Sequence, residues 1–143
     1  MSKEKRLSKK LLAYWSQLKT AENVAPFEKS LNPDDISELW DNCFLIDTKT
    51  QKYSYLGENL VAMGNGKSVI AKDVYESVIC TVKSNILSIS DEVIHSGLPI
   101  VQDSSFESKY GITVKYRRCF LPLLNEKNEI AYVLGGTRWK SFS

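Results

Sequence analysis

One feature near the C-terminus narrows the fold more than any other. From Ile112 to Leu124 the chain alternates. Ile112, Val114, Tyr116, Arg118 and Phe120 fall on one side, and Thr113, Lys115, Arg117, Cys119 and Leu121 on the other. A period of two marks a strand whose two faces meet different surroundings. Asn125 to Asn128 is turn-like, and Glu129 to Trp139 has the composition of a return strand. A hairpin is at best marginally stable alone in water, so the chain must supply further strands and a cover for the apolar face.

Those strands are legible upstream. Asn42 to Thr48 and Tyr53 to Gly57 flank a polar turn at Lys49–Lys52, with Tyr53 and Tyr55 expected on one face. Ile100 to Asp103 is a short strand, followed by a loop over Ser104–Gly111. The cover comes from helices. Leu11, Leu12, Trp15 and Leu18 share a face of a helix over about 7–21. Asn32-Pro33-Asp34-Asp35 is a helix start: a capping side chain, a proline at the first position, and acids at the positive end of the dipole. Ile36, Leu39 and Trp40 then point inward. Glu58 to Met63 makes a helical turn closed by Gly64-Asn65-Gly66. Val74, Val78, Val82 and Ile86 recur every fourth residue and predict one long helix, with a break at Ser88 or Ser90, that stops at Gly97 before Pro99. The expectation is an α+β fold: five mostly antiparallel strands with helices on one face and an N-terminal helix.

At 143 residues the chain is long enough for one domain with its own core. Its hydrophobic share of 43% and charged share of 25% are those of a globular protein. No apolar run reaches the length of a membrane helix. The net charge of +2 is too small to imply nucleic acid, although Lys3, Lys5, Arg6, Lys9 and Lys10 cluster at the front. Cys43, Cys80 and Cys119 are widely spaced and only one histidine is present, so neither a zinc site nor a disulfide framework is expected. Reduced thiols suit a cytoplasmic setting.

The motifs that suggest chemistry are weak. Gly64-Asn65-Gly66-Lys67-Ser68 ends like a phosphate-binding loop, but Val61 stands where that loop needs a glycine. Asn42-Cys43-Phe44-Leu45 faintly resembles a flavin-photoadduct motif, but lacks the arginine after the cysteine and sits on a strand. His95 falls in a last helical turn, where a partial positive charge suits the dipole. Its only acidic partners for an enzyme on a cone-shaped α+β fold would be Asp91 or Asp103. No catalytic residue is therefore assigned. Arg118 is the unusual group. It shares a face with Tyr116 and Phe120, and a charge there needs an anion, either a protein carboxylate such as Glu58 or Asp103 or a bound ligand.

Three ordered blocks carry a family likeness. The first is Leu12-Ala13-Tyr14-Trp15, Leu18, Pro26, Leu31-Asn32-Pro33, Ile36, Leu39-Trp40 and Phe44-Leu45-Ile46-Asp47. The second is Tyr55-Leu56-Gly57 with Leu60, and the third is Arg118-Cys119-Phe120-Leu121-Pro122-Leu123 with Val133-Leu134-Gly135-Gly136. Together they resemble the short, stand-alone PAS-like proteins of alphaproteobacteria.

The resemblance implies a PAS fold with helices against a concave sheet face. It also implies a sensory or regulatory role without catalysis, through a small molecule held between sheet and helices or through protein contacts. On that reading residues 1–25 form a docking helix and 26–143 the domain proper. Phe44, Tyr55, Val78, Val82, Tyr116, Arg118 and Phe120 are the expected pocket lining. Leu11, Trp15 and Leu18 are the expected seam of a homodimer. No cofactor, metal, nucleic acid or membrane is expected. No kinase, cyclase or DNA-binding segment follows the last strand, so any output is expected to pass through contact with an unidentified protein partner.

Overall fold

The computed structural model describes residues 6–142. Lys3 and Lys5 of the basic front therefore lie outside the described residues. Five strands form one antiparallel sheet: β1 (Cys43–Asp47), β2 (Lys52–Leu56), β3 (Ile100–Glu107), β4 (Thr113–Leu124) and β5 (Ile130–Phe142). Their order is β2-β1-β5-β4-β3, so the first and last strands, β1 and β5, pair in the interior and β2 and β3 form the edges. The helices are α1 (Leu7–Leu18), α2 (Ser37–Trp40), α3 (Glu58–Asn65), α4 (Val69–Val74) and α5 (Ile86–Ser96). A π-helical turn, Tyr75–Ile79, continues α4.

The sheet separates two cores. Under α3, α4, the π turn and α5 lies an inner face built on Phe44, Ile46, Val114, Phe120 and Val133. The outer face presents Cys43, Leu45, Cys119, Leu121, Leu123 and Leu134 to α1 and α2. The alternation expected along β4 holds. Val114, Arg118 and Phe120 belong to the inner side, while Cys119 and Leu121 belong to the outer.

Two details of the strands differ from expectation. Tyr53 and Tyr55 do not share a face. Leu45 pairs with Tyr55 but Ile46 pairs with Tyr53, which leaves Ser54 as an extra residue on β2. This β-bulge flips the alternation, sending Tyr53 inward and Tyr55 outward. The third strand also runs on to Glu107, because β4 offers it an unbroken ladder from Ile100–Phe120 to Glu107–Thr113. Serine-rich sequence is weakly strand-forming, but pairing with a long neighbour outweighs that preference.

Pro122 lies within a central strand, where a proline normally breaks the ladder. Here β3 begins only opposite Phe120, so β4 is locally an edge at Pro122. Its carbonyl accepts the Trp15 indole N–H at 2.8 Å.

The expected long helix is two elements. The stretch Val78-Ile79-Cys80-Thr81-Val82 is rich in β-branched residues, which disfavour a helix. Helical bonding stops at a π bond from Cys80 N–H to the Tyr75 carbonyl, 2.8 Å. It restarts after Ser84, whose hydroxyl donates to the Cys80 carbonyl at 2.6 Å and accepts from Ile86 N–H at 3.3 Å. The break therefore lies at 80–85 and not at Ser88 or Ser90. The stop at Gly97 is as expected, with φ +70°.

Candidate functional site

The inner face carries one fully buried charge, Arg118, with 0% of its surface exposed. The β4 register fixes it opposite Gln102 of β3. Its Nε donates to Gln102 Oε1 at 3.0 Å, and Nη2 makes a shorter contact with the same oxygen. Nη1 donates to the Val78 carbonyl of the π turn at 3.0 Å. Nη2 also donates to Asn85 Oδ1 at 2.6 Å. The rings of Tyr116 and Phe120 lie 5.2 and 5.4 Å from the guanidinium carbon, within cation–π range.

Every one of these acceptors is neutral. Among the described residues no carboxylate pairs with Arg118. Asp103, one of the two acids expected there, faces the other way and holds Arg117 in a two-point ion pair, one arm of which is 2.8 Å. That arrangement keeps the Asp103 carboxyl below the usual carboxylate range. Glu58 does not reach Arg118 either. Burial pulls the Arg118 pKa down from its ordinary value, with Tyr116 and Tyr53 acting the other way. A guanidinium remains charged in proteins, so the site holds a desolvated cation without a counter-ion.

The cation also acts as a clamp. It ties the π turn and the Asn85 end of the 80–85 segment to β3 and β4. Tyr53 adds a second tie, donating its hydroxyl to the Ile79 carbonyl at 2.6 Å. Burial raises the Tyr53 pKa well above the ordinary tyrosine value, so it remains a donor. Between these ties the segment arches outward, leaving Val82 86% exposed.

Placement of the expected pocket residues follows from the two corrections above. Phe44, Val78 and Phe120 are wholly buried on the inner face, and Tyr116 is half-buried beside Arg118. Phe44 packs edge-on against Phe120 and Tyr53, with centroids 5.8 and 5.6 Å apart. Tyr55 is on the outer face, stacked on Trp40 at 4.2 Å, because of the bulge. Val82 faces solvent, because the helix that would have turned it inward does not form there.

Tyr53, Asn85 and Gln102 complete the site and were not singled out from the sequence. Gln102 was accessible to the same alternation that placed Ile100. Asn85 carried no signal, since its role depends on the helix break.

The residues expected at a dimer seam are engaged within the chain. Leu11 and Trp15 are buried against the outer face of their own sheet, and Leu18 is partly buried against the same cluster. His95 is exposed in the last turn of α5, where its Nδ1 lies 2.7 Å from the Asp91 carbonyl of its own helix. Asp103 is committed to Arg117, and among the described residues no hydrogen bond joins His95 to a carboxylate.

The sequence matches the PAS domain family over residues 3–137. No curated protein matches it. A solved structure with a similar fold is the N-terminal domain of a diguanylate cyclase with PAS/PAC sensor from Marinobacter aquaeolei. It is 15% identical, the match covers 67% of this chain and 91% of that one, and the TM-score is 0.45.

Proposed function

The chain belongs to the PAS domain family, and on that premise we propose that it is a non-catalytic sensory or regulatory module whose input is a small anion received at Arg118. The observation that carries this reading is the wholly buried guanidinium bonded only to neutral acceptors. A buried cation is stabilised more by an anion than by amide oxygens alone, because a full opposite charge adds a Coulomb attraction that the interior screens weakly.

Access is short. Asn85 is exposed and Gln102 half-buried, so two amide side chains stand between the guanidinium and water. A carboxylate that took their place would keep every donor satisfied. It would also release the Asn85 tie and change how the 80–85 arch sits, altering the surface around Val82 that a protein partner would read.

The test is a melting-temperature titration of the full chain with sodium acetate, disodium succinate and sodium phosphate, each against sodium chloride at equal ionic strength. Amide hydrogen exchange over 78–86 is followed in parallel. A saturable rise with one of the three, lost in Arg118→Gln, is expected; the exchange of 78–86 should change with it. Equal behaviour in all salts, or an undiminished rise in Arg118→Gln, rules the reading out. Arg118→Met should remain folded at a cost of about 1–3 kcal/mol, since Asn85 and Gln102 can turn to water while the Val78 carbonyl loses its donor.

A further inference from the structure

The long hairpin of β4 and β5 extends past the start of α1, and there its outer face changes character. In the register of the two strands Lys115 lies opposite Lys140, and Arg117 opposite Arg138. Like charges placed directly across a ladder repel and are destabilising. Two such pairs in succession are therefore a cost the fold accepts. Lys115, Arg138 and Lys140 are exposed, and among the described residues none of the three pairs with a carboxylate. Among the described residues the one acid lining the groove, Asp103, is held by Arg117.

Helix α1 adds charge of the same sign. Its positive end opens at Leu7, with Arg6 at the cap position and no acid in the first turn; that turn instead carries Lys9 and Lys10. Basic residues at a helix N-terminus oppose the dipole. Strand pairs and helix end converge on one groove of about 750 Å³, lined by Arg6, Lys115, Arg117, Arg138, Lys140 and Phe142 among others. Phe142 is 44% exposed at its rim, with the Lys115 ammonium 5.2 Å from its ring centroid.

From this we infer that the outer end of the β4–β5 hairpin is a docking surface for an acidic segment of a partner protein, one that also carries an apolar side chain for Phe142. Charge complementarity selects the sign of the partner. The protein's overall charge of +2 selects its kind. Nucleic-acid binders carry a broad basic excess, whereas here five of the 19 Lys and Arg line one groove and the other 14 are matched by 16 Asp and Glu elsewhere. A groove of this volume accommodates a single segment of chain, and its exposed aromatic offers the anchor that such segments use. A second copy of this surface would meet it with the same sign and be repelled. The inference stands apart from the anion site, which lies on the opposite face of the sheet.

The test is fluorescence anisotropy of the full chain with three probes: a labelled peptide alternating glutamate and leucine, a uridine-rich single-stranded RNA, and phosphatidylserine vesicles. Binding of the peptide at low salt, weakened at about 200 mM salt, is expected. Lys115→Glu with Lys140→Glu should lower its affinity by about tenfold or more, and Lys115→Gln with Lys140→Gln by less. The glutamine pair serves as the variant that keeps the strands folded if charge reversal does not. No peptide binding at low salt, tighter binding of the RNA or the vesicles, or an affinity unmoved by either double variant would overturn the inference.

Discussion

The two faces of the sheet are covered by similar amounts of apolar side chain but held in different ways. On the outer face the cover is regular helix, chiefly α1 with α2 beside it, seated through Leu7, Leu11 and Trp15, whose indole donates to the Pro122 carbonyl. On the inner face the cover is interrupted: helix, π turn, open arch, helix. It is fastened by a buried cation and two tyrosine- or arginine-donated ties to backbone carbonyls. Apolar packing is non-directional and tolerates no alternative once the volume is filled. Polar ties are directional and can be exchanged for other partners of the same chemistry. The difference teaches where a module of this kind stores stability and where it can respond.

The comparison breaks first if the outer face is not the stable one. Trp15→Ala removes a large buried side chain and leaves the Pro122 carbonyl without its donor. A loss of about 4 kcal/mol in urea unfolding is expected, against about 1.5 kcal/mol for Trp15→Phe, which keeps most of the buried area. A cost below about 1 kcal/mol for Trp15→Ala would mean that α1 is not seated on its own sheet.

The adjacent glycines Gly135 and Gly136 sharpen the same comparison, because alternation aims one at each face. A methyl group at 135 would stand 2.1 Å from Phe44 Cζ and 2.7 Å from the Cys119 carbonyl oxygen. At 136 its nearest neighbours are Leu7 Cδ2 at 3.2 Å and Leu11 Cδ2 at 3.3 Å, the ends of flexible side chains. Gly135→Ala should cost about 3 kcal/mol and Gly136→Ala about 1 kcal/mol, measured by the same unfolding curves. Equal costs would show that the rings of the inner face repack as freely as the leucines of α1.

The outer face was legible in the sequence because its determinants are local and periodic. The α1 stripe, the cap at Asn32 and the alternation of β4 each act over a few residues, and Asn32 does accept a bond from Asp34 N–H at 3.2 Å. The inner face was legible only in part. Arg118 stood out as a charge on an apolar strand face, and its need for a partner was plain from burial alone. Which partner it finds depends on Gln102 across the ladder and on Asn85 brought in by a helix break, and pairwise long-range contacts leave no periodic trace. The bulge at Ser54 was hidden for the same reason: one extra residue in a hairpin changes no composition, yet it exchanges the faces of Tyr53 and Tyr55. The even spacing of Val74, Val78, Val82 and Ile86 misled because β-branched residues at that spacing suit a helix by pattern and oppose it by propensity.

The cysteines divide between the faces, and alkali should tell them apart. Cys43 and Cys119 are buried on the outer face; Cys80 is half-buried where the inner arch begins. Burial pushes the Cys119 thiol up from 9.0 to about 12, and raises Cys43 as well. In the unfolded chain both thiols lose their protons near 9.0, while the folded chain retains them. Above that pH the unfolded state binds fewer protons than the native state, so unfolding becomes easier as pH rises. The stabilisation is complete below pH 9 and is lost on the way to the folded value. Between pH 9 and 10 the loss should be on the order of 1 kcal/mol per thiol. Melting curves at pH 7, 9 and 10 would show it as a fall that begins only above about pH 9 and is flattened in a Cys43→Ala, Cys119→Ala double variant. Alkylation of the native protein at neutral pH should meanwhile modify Cys80 alone. Labelling of Cys43 or Cys119 at a comparable rate would place the outer face, and not the arch, at the low end of the stability scale.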